Sequence, residues 1–162
     1  MRDCIIALDL SNYRTVTQTD LTFNSQAQPV SSRAGLAIVM ADFRTVAEQF
    51  TTFYYNTFDA DRKGLAALYR DGSMLTFETA AIRGVSDIIK QLTTLPFEKV
   101  VHKVNTLDAQ PSNEQGGILV MVTGALLVDE EQRPMNYTQA FQLLPDGQSY
   151  YVYNDVFRLI YG

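Results

Sequence analysis

Residues 43–58 set the first limit on what this chain can fold into. Phe43, Val46, Ala47, Phe50, Phe53, Tyr54 and Phe58 recur at steps of three and four, which predicts a single apolar stripe along a helix of about four turns. A stripe that wide needs a flat apolar surface to cover it. Asp61 is placed to cap a second, shorter helix through Leu65 and Leu68, and Val85, Ile88, Ile89 and Leu92 mark a third that ends before Pro96. Beyond Pro96 the pattern turns to β. Residues 100–105, 118–128, 137–144 and 149–160 are long and β-rich, with Pro145-Asp146-Gly147 as the turn between the last two and Gly116-Gly117 as another turn. Gly124, in the middle of a strand, fits a bulge or bend. Helices first and sheet afterwards predict an α+β fold: a cone-shaped, strongly bent antiparallel sheet wrapped around the long N-terminal helix plus two shorter helices, with a hollow between them.

The second sheet face also requires cover. Ile118-Leu119-Val120-Met121-Val122 shows no polar alternation, so a second copy of the chain is expected against it. Residues 1–39 read differently, being rich in Ser, Thr, Gln and Asn with no sustained period. The expected organisation is therefore an N-terminal extension without fixed structure, 1–39, followed by one domain, 40–162.

Charge narrows the partners. The net charge is −5, and because Arg2, Arg14 and Arg33 balance Asp3, Asp9 and Asp20, all of the excess lies from Met40 onward. An acidic domain repels phosphate backbones, which argues against nucleic acid and for a basic protein surface. No apolar run approaches the ~20 residues of a membrane span, and Asp3 and Asp9 bracket IIAL too closely for a signal peptide. No membrane is expected, and an intracellular, soluble chain is. The single cysteine, Cys4, allows no internal disulfide, and one histidine with no second cysteine offers no zinc spacing, so neither metal nor cofactor is expected.

Few residues carry chemistry. His102 shares a strand face with Val100 and Val104 and would suit a base in the hollow, although a lone histidine on an apolar face is more often a hydrogen-bonded core residue. No nucleophile elbow, phosphate loop or metal cluster accompanies it. Within SMLTFE, Phe77 is followed at once by Glu78, a pairing that suits a cavity rim, and Asp129, Glu130 and Glu131 end a strand in three carboxylates.

The stretches FYYNTFDADRKGLAALYRDGSMLTFE, LPFEKVVHKVNTLDAQP and SYYVYNDVFRLIY resemble the nuclear transport factor 2 family in its fungal form, from Asp42 to Tyr161 and without counterpart for the preceding segment. The resemblance implies a homodimeric cone that carries the GDP form of the small GTPase Ran into the nucleus and touches phenylalanine-glycine repeats of nucleoporins, with no catalysis. It further implies residence in cytoplasm and nucleus, concentrated at the pore. Carried over by position, the acids that meet Ran are Glu78, Asp129 and Glu131. The lining that takes an aromatic side chain from Ran's switch II is Phe77, Leu95, Phe97, Val100, Leu126, Val128, Met135 and Phe157, and Phe77 also serves the repeats. Phe77 stands where animal members have tryptophan, and Glu131 where they have aspartate. The same cone houses ketosteroid isomerase and scytalone dehydratase, so a small-molecule isomerase or dehydratase is the alternative.

Overall fold

The computed structural model describes residues 32–161, with the side chains of the first helix described from Phe43 onward. Cys4 and most of the 1–39 extension lie outside the described residues. Helix α1 runs Ser32–Ala60, so it begins inside the segment set apart as an extension. Its buried face is Phe43, Val46, Ala47, Phe50, Thr51, Tyr54, Tyr55 and Phe58. Tyr55 is in the core and Phe53 only half-buried, because the stripe drifts around a straight helix and its edge falls between them.

A 3-10 helix follows at Arg62–Leu68, with the Asp61 side chain accepting from the Lys63 amide at 3.0 Å. Strands β1 (Tyr69–Phe77) and β2 (Ala80–Arg83) form a hairpin, α2 spans Val85–Thr93, and four long strands complete the chain. These are β3 (Val100–Pro111), β4 (Ile118–Val128), β5 (Met135–Asp146) and β6 (Ser149–Ile160). The hairpin between β5 and β6 turns on Gly147-Gln148, with Gly147 at φ +63, while Pro145 and Asp146, expected in the turn, are still paired in β5.

The sheet corrects one expectation. Its order is β2-β1-β6-β5-β4-β3, and β1 pairs in parallel with β6, so the sheet is mixed and not purely antiparallel. Hairpin signals report only on neighbours in sequence, whereas β1 meets the last strand of the chain across every other element. The expected α+β architecture with one long and two shorter helices stands.

Bending has a local cause. The β3–β4 register shifts between Val104 and Thr106, opposite Gly124. A Cβ on Gly124 would lie 2.5 Å from the Lys103 carbonyl oxygen and 2.7 Å from the Tyr137 ring, so only glycine lets the bulged strand and that ring close in. The concave face then packs on α1. Phe141 is fully buried and meets Phe50 and Tyr54 edge-on at 4.9 and 4.8 Å. Each such aromatic contributes ~1.5–3 kcal/mol through burial alone.

Candidate functional site

Where the sheet curls away from α1, an apolar cavity of about 340 Å³ opens. Its wall is built by five strands (β1, β3, β4, β5 and β6), the end of α1 and the segment between α2 and β3. Phe77, Leu95, Phe97, Val100, Leu126, Val128, Met135 and Phe157 all line it, together with Phe58, Pro96, His102, Gln139 and Leu159. Phe77 and Phe157 face each other across the parallel β1–β6 pair and stack at 4.7 Å with 7° between their planes. Tyr137 continues the stack at 5.6 Å from Phe157. One wall is therefore a slab of aromatic faces, suited to another flat apolar group.

His102 is held, not free. Its Nδ1 lies 2.6 Å from Asp59 Oδ1, its amide donates to Asp59 Oδ2 at 2.9 Å, and Tyr55, Phe58 and Tyr137 enclose the ring. The hydrogen-bonded histidine on an apolar face is what the structure contains. Gln139 is also committed: its Oε1 accepts from Tyr55 at 2.9 Å and its Nε2 donates to Asp155 Oδ1 at 2.7 Å. Asp155, fully buried behind that wall, further accepts from the Tyr69 and Tyr54 hydroxyls at 2.7 and 3.1 Å. Burial pushes the Asp155 carboxyl up to about 6, against the pull of its three donors. The same burial raises the phenols of Tyr54 and Tyr69.

Three carboxylates were expected at the mouth. Glu78 ends β1, half-buried, at φ +52; its amide donates to the Phe157 carbonyl and its Oε1 accepts from the Leu159 amide. The side chain thus extends the parallel ladder one step past the strand. Asp129 ends β4 at φ +47, and its Oδ1 accepts from the amides of Glu98 and Lys99 at 3.0 and 2.8 Å. Glu131 is exposed, two residues on, its amide closing a turn onto the Val128 carbonyl at 3.0 Å. Glu130 occupies that turn, so strand alternation has stopped before it.

Among the described residues, Glu78 and Asp129 are the two non-glycine positions in the left-handed region, a conformation costing ~1–3 kcal/mol that clusters at functional sites. None of the three carboxylates pairs with a lysine or arginine among the described residues. The described residues also hold no cluster of His, Cys, Asp and Glu able to bind a metal.

The sequence reading missed part of this wall. Gln139 was visible, since it shares strand parity with Tyr137 and Phe141 and so placed a polar group on an inward face. Asp155 was hidden, because the β5–β6 register slips between Gln142 and Leu143, opposite Tyr153, and exchanges the inward and outward residues of β6.

Residues 46–159 match the family described as Nuclear transport factor 2 (NTF2) domain. The chain is similar to Nuclear transport factor 2 of Emericella nidulans, 73% identical over 124 residues, which is 76% of this chain and 99% of that protein. It is similar also to Nuclear transport factor 2 of Saccharomyces cerevisiae, 58% identical over 121 residues, 75% of this chain and 97% of the relative. Among solved structures, nuclear transport factor 2 from Cryptosporidium parvum superposes with a TM-score of 0.69 at 35% identity, over 73% of this chain and 94% of that one.

Proposed function

The chain belongs to the nuclear transport factor 2 family, and on that premise we propose that it is a nuclear transport carrier which takes the GDP form of the small GTPase Ran into the nucleus. One observation carries the reading: an apolar cavity faced with stacked aromatic rings has Phe77 and Val128 in its lining, next in sequence to Glu78 and Asp129, and neither these acids nor Glu131 forms an ion pair among the described residues. An aromatic side chain flanked by basic ones, as in Ran's switch II, fits both features. Magnitudes require both. One buried phenylalanine contributes ~1.5–3 kcal/mol, a micromolar complex needs about 8 kcal/mol, and truncating a partly desolvated ion pair costs ~2–5 kcal/mol.

Phenylalanine-glycine repeats of nucleoporins are the second partner in this reading. Phe77 is assigned to both uses, and its ring stands in the cavity wall, so repeats and Ran draw on the same surface. Phe77→Ala should lower retention on repeat-coated beads; unchanged retention would move the repeat site elsewhere. A second copy of the chain covers the outer sheet face, where Met121, Ala140 and Val156 lie side by side across β4, β5 and β6 and the two larger side chains are 45% and 42% exposed. The carrier then resides in cytoplasm and nucleus, concentrated at the pore. Among the described residues no helix is long and apolar enough to cross a membrane.

A catalytic reading would rest on the His102–Asp59 pair. The Gln139 amide that lines the cavity with it is bonded at both ends and offers no second free group to a substrate. The test is capture by immobilised chain of Ran loaded with GDP or GTP. Selective retention of the GDP form is expected; equal capture of both, or of neither, would overturn the proposal.

A further inference from the structure

We infer that Arg62 is a positioning residue for the cavity mouth, holding residues 94–99 together with Asp129 in the conformation that completes the wall. This segment joins α2 to β3 and supplies Leu95, Pro96 and Phe97 to the cavity, yet it belongs to no ladder. Backbone groups so placed need partners from elsewhere. Two side chains of opposite charge supply them. On the carbonyl side, Arg62 Nη2 donates to Phe97 O at 3.1 Å and to Glu98 O at 3.3 Å, while Nη1 reaches Leu92 O at 3.4 Å. On the amide side, Asp129 Oδ1 accepts from Glu98 and Lys99, and the Asp129 amide returns a bond to Lys99 O at 3.0 Å. The guanidinium also lies over the Phe97 ring at 4.5 Å and the Phe58 ring at 5.5 Å. The charge-capped start of the 3-10 helix, with Asp61 bonded to the Lys63 amide, fixes the backbone from which Arg62 projects.

The sign of its charge points the same way. A cation beside an acidic mouth opposes a basic partner, so a direct contact with that partner is the wrong use for Arg62. Its surroundings suit a clamp instead: partial burial holds the guanidinium below its ordinary pKa, and the nearby charges of Asp129 and Asp59 offset that only in part. Lysine is no substitute, because a point charge can neither bridge two carbonyls with a planar fork nor stack on Phe97. The consequence for Ran binding rests on the function proposed above, whereas the clamp itself does not.

The experiment separates the two. Amide hydrogen exchange at Glu98 and Lys99 is followed in the full chain and in Arg62→Ala and Arg62→Lys, alongside melting temperature and Ran-GDP titration, with Phe97→Ala as a second background. Both Arg62 variants should exchange about tenfold or more faster at those amides and bind Ran-GDP about tenfold more weakly. In the Phe97→Ala background, Arg62→Ala should cost less than about twofold further, because the ring it positions is gone. Unchanged exchange in Arg62→Ala, or full wild-type exchange and binding in Arg62→Lys, would overturn the inference. Should Arg62→Ala fail to fold, Arg62→Lys decides. If the parent chain does not bind Ran-GDP, the function proposed above fails and the exchange arm still decides the clamp.

Discussion

Asp155 and the mouth acids Glu78 and Asp129 are carboxylates of one small domain, and they are satisfied in opposite ways. Asp155 is 1% exposed, and its donors are side chains drawn from α1, β1 and β5. Glu78 and Asp129 take backbone amides, each on a single oxygen, and among the described residues no donor reaches Oε2 of Glu78 or Oδ2 of Asp129. A carboxylate offers about four acceptor sites. The inner one is spent on tying helix to sheet; the outer ones hold the rim in place and keep capacity for something that arrives. Among the described residues, left-handed backbone at a non-glycine position occurs only in the outer pair, at φ +52 and +47. Under the function proposed above, the contrast separates acidity that serves the fold from acidity left for a partner.

The inner half of the contrast predicts the largest effect. Asp155→Ala removes three hydrogen bonds, from the Tyr54 and Tyr69 hydroxyls and the Gln139 amide, each a loss of ~1–3 kcal/mol and only partly offset by the bonds these groups make to one another, so about 5 kcal/mol of stability should disappear in urea unfolding. That is a large part of what an ordinary domain possesses. A loss below about 1 kcal/mol would mean water replaces the carboxylate easily and the network ties nothing together. The same group carries a pH signature. Its folded carboxyl titrates near 6 where the ordinary value is 3.8, so the folded state holds this proton more tightly than the unfolded chain does. The Asp155 contribution is therefore most favourable below about pH 4 and is lost as pH rises through about 6, by up to ~3 kcal/mol. Relative to Asp155→Asn, stability should fall across that window and stay level above it, whereas a flat difference would place the carboxyl in ordinary surroundings.

How much of this was legible depended on the range of the interaction. The α1 stripe, the Asp61 cap and the limits of β4 and β6 were all readable, because periodicity and capping act within a few residues. The parallel β1–β6 pair was not, since nothing local in SMLTFE says which distant strand it will join. Nor was the clamp on residues 94–99 visible. Arg62, Phe97 and Asp129 are far apart in sequence, and each alone reads as an ordinary surface or core residue. The eight lining positions came from the family resemblance and not from periodicity, and they meet in one cavity. The acids came the same way, but their bonds to the backbone had no sequence signal at all.

Those bonds sharpen the outer half of the contrast. Glu78→Lys should weaken Ran-GDP binding by ~2–5 kcal/mol, since attraction at a partly desolvated mouth becomes repulsion. It should also cost about 1 kcal/mol of stability, because the Leu159 amide loses its acceptor. Glu78→Gln separates the two: the amide oxygen can still accept from Leu159 while the charge is gone. Titration calorimetry and thermal unfolding on both variants decide it. Binding lost equally in both without any change in stability would assign Glu78 to charge alone, and binding unaffected in either would remove it from the mouth.

The smallest effect belongs to Glu130, and the comparison turns on its being small. Glu130 lies between Asp129 and Glu131, is exposed, and sits within the turn closed by the Glu131 amide on Val128 O. No hydrogen bond or ion pair holds its carboxylate among the described residues. An exposed, unconstrained charge contributes little to a specific contact, ~0–1 kcal/mol even when it finds a partner. Glu130→Lys alters net charge as much as Glu78→Lys does, so the pair controls for long-range attraction. At matched ionic strength, Ran-GDP affinity should change by less than about tenfold for Glu130→Lys while Glu78→Lys loses far more. If the two losses were equal, the mouth would act only as a diffuse acidic field, and the backbone bonds that orient Glu78 and Asp129 would have no bearing on recognition.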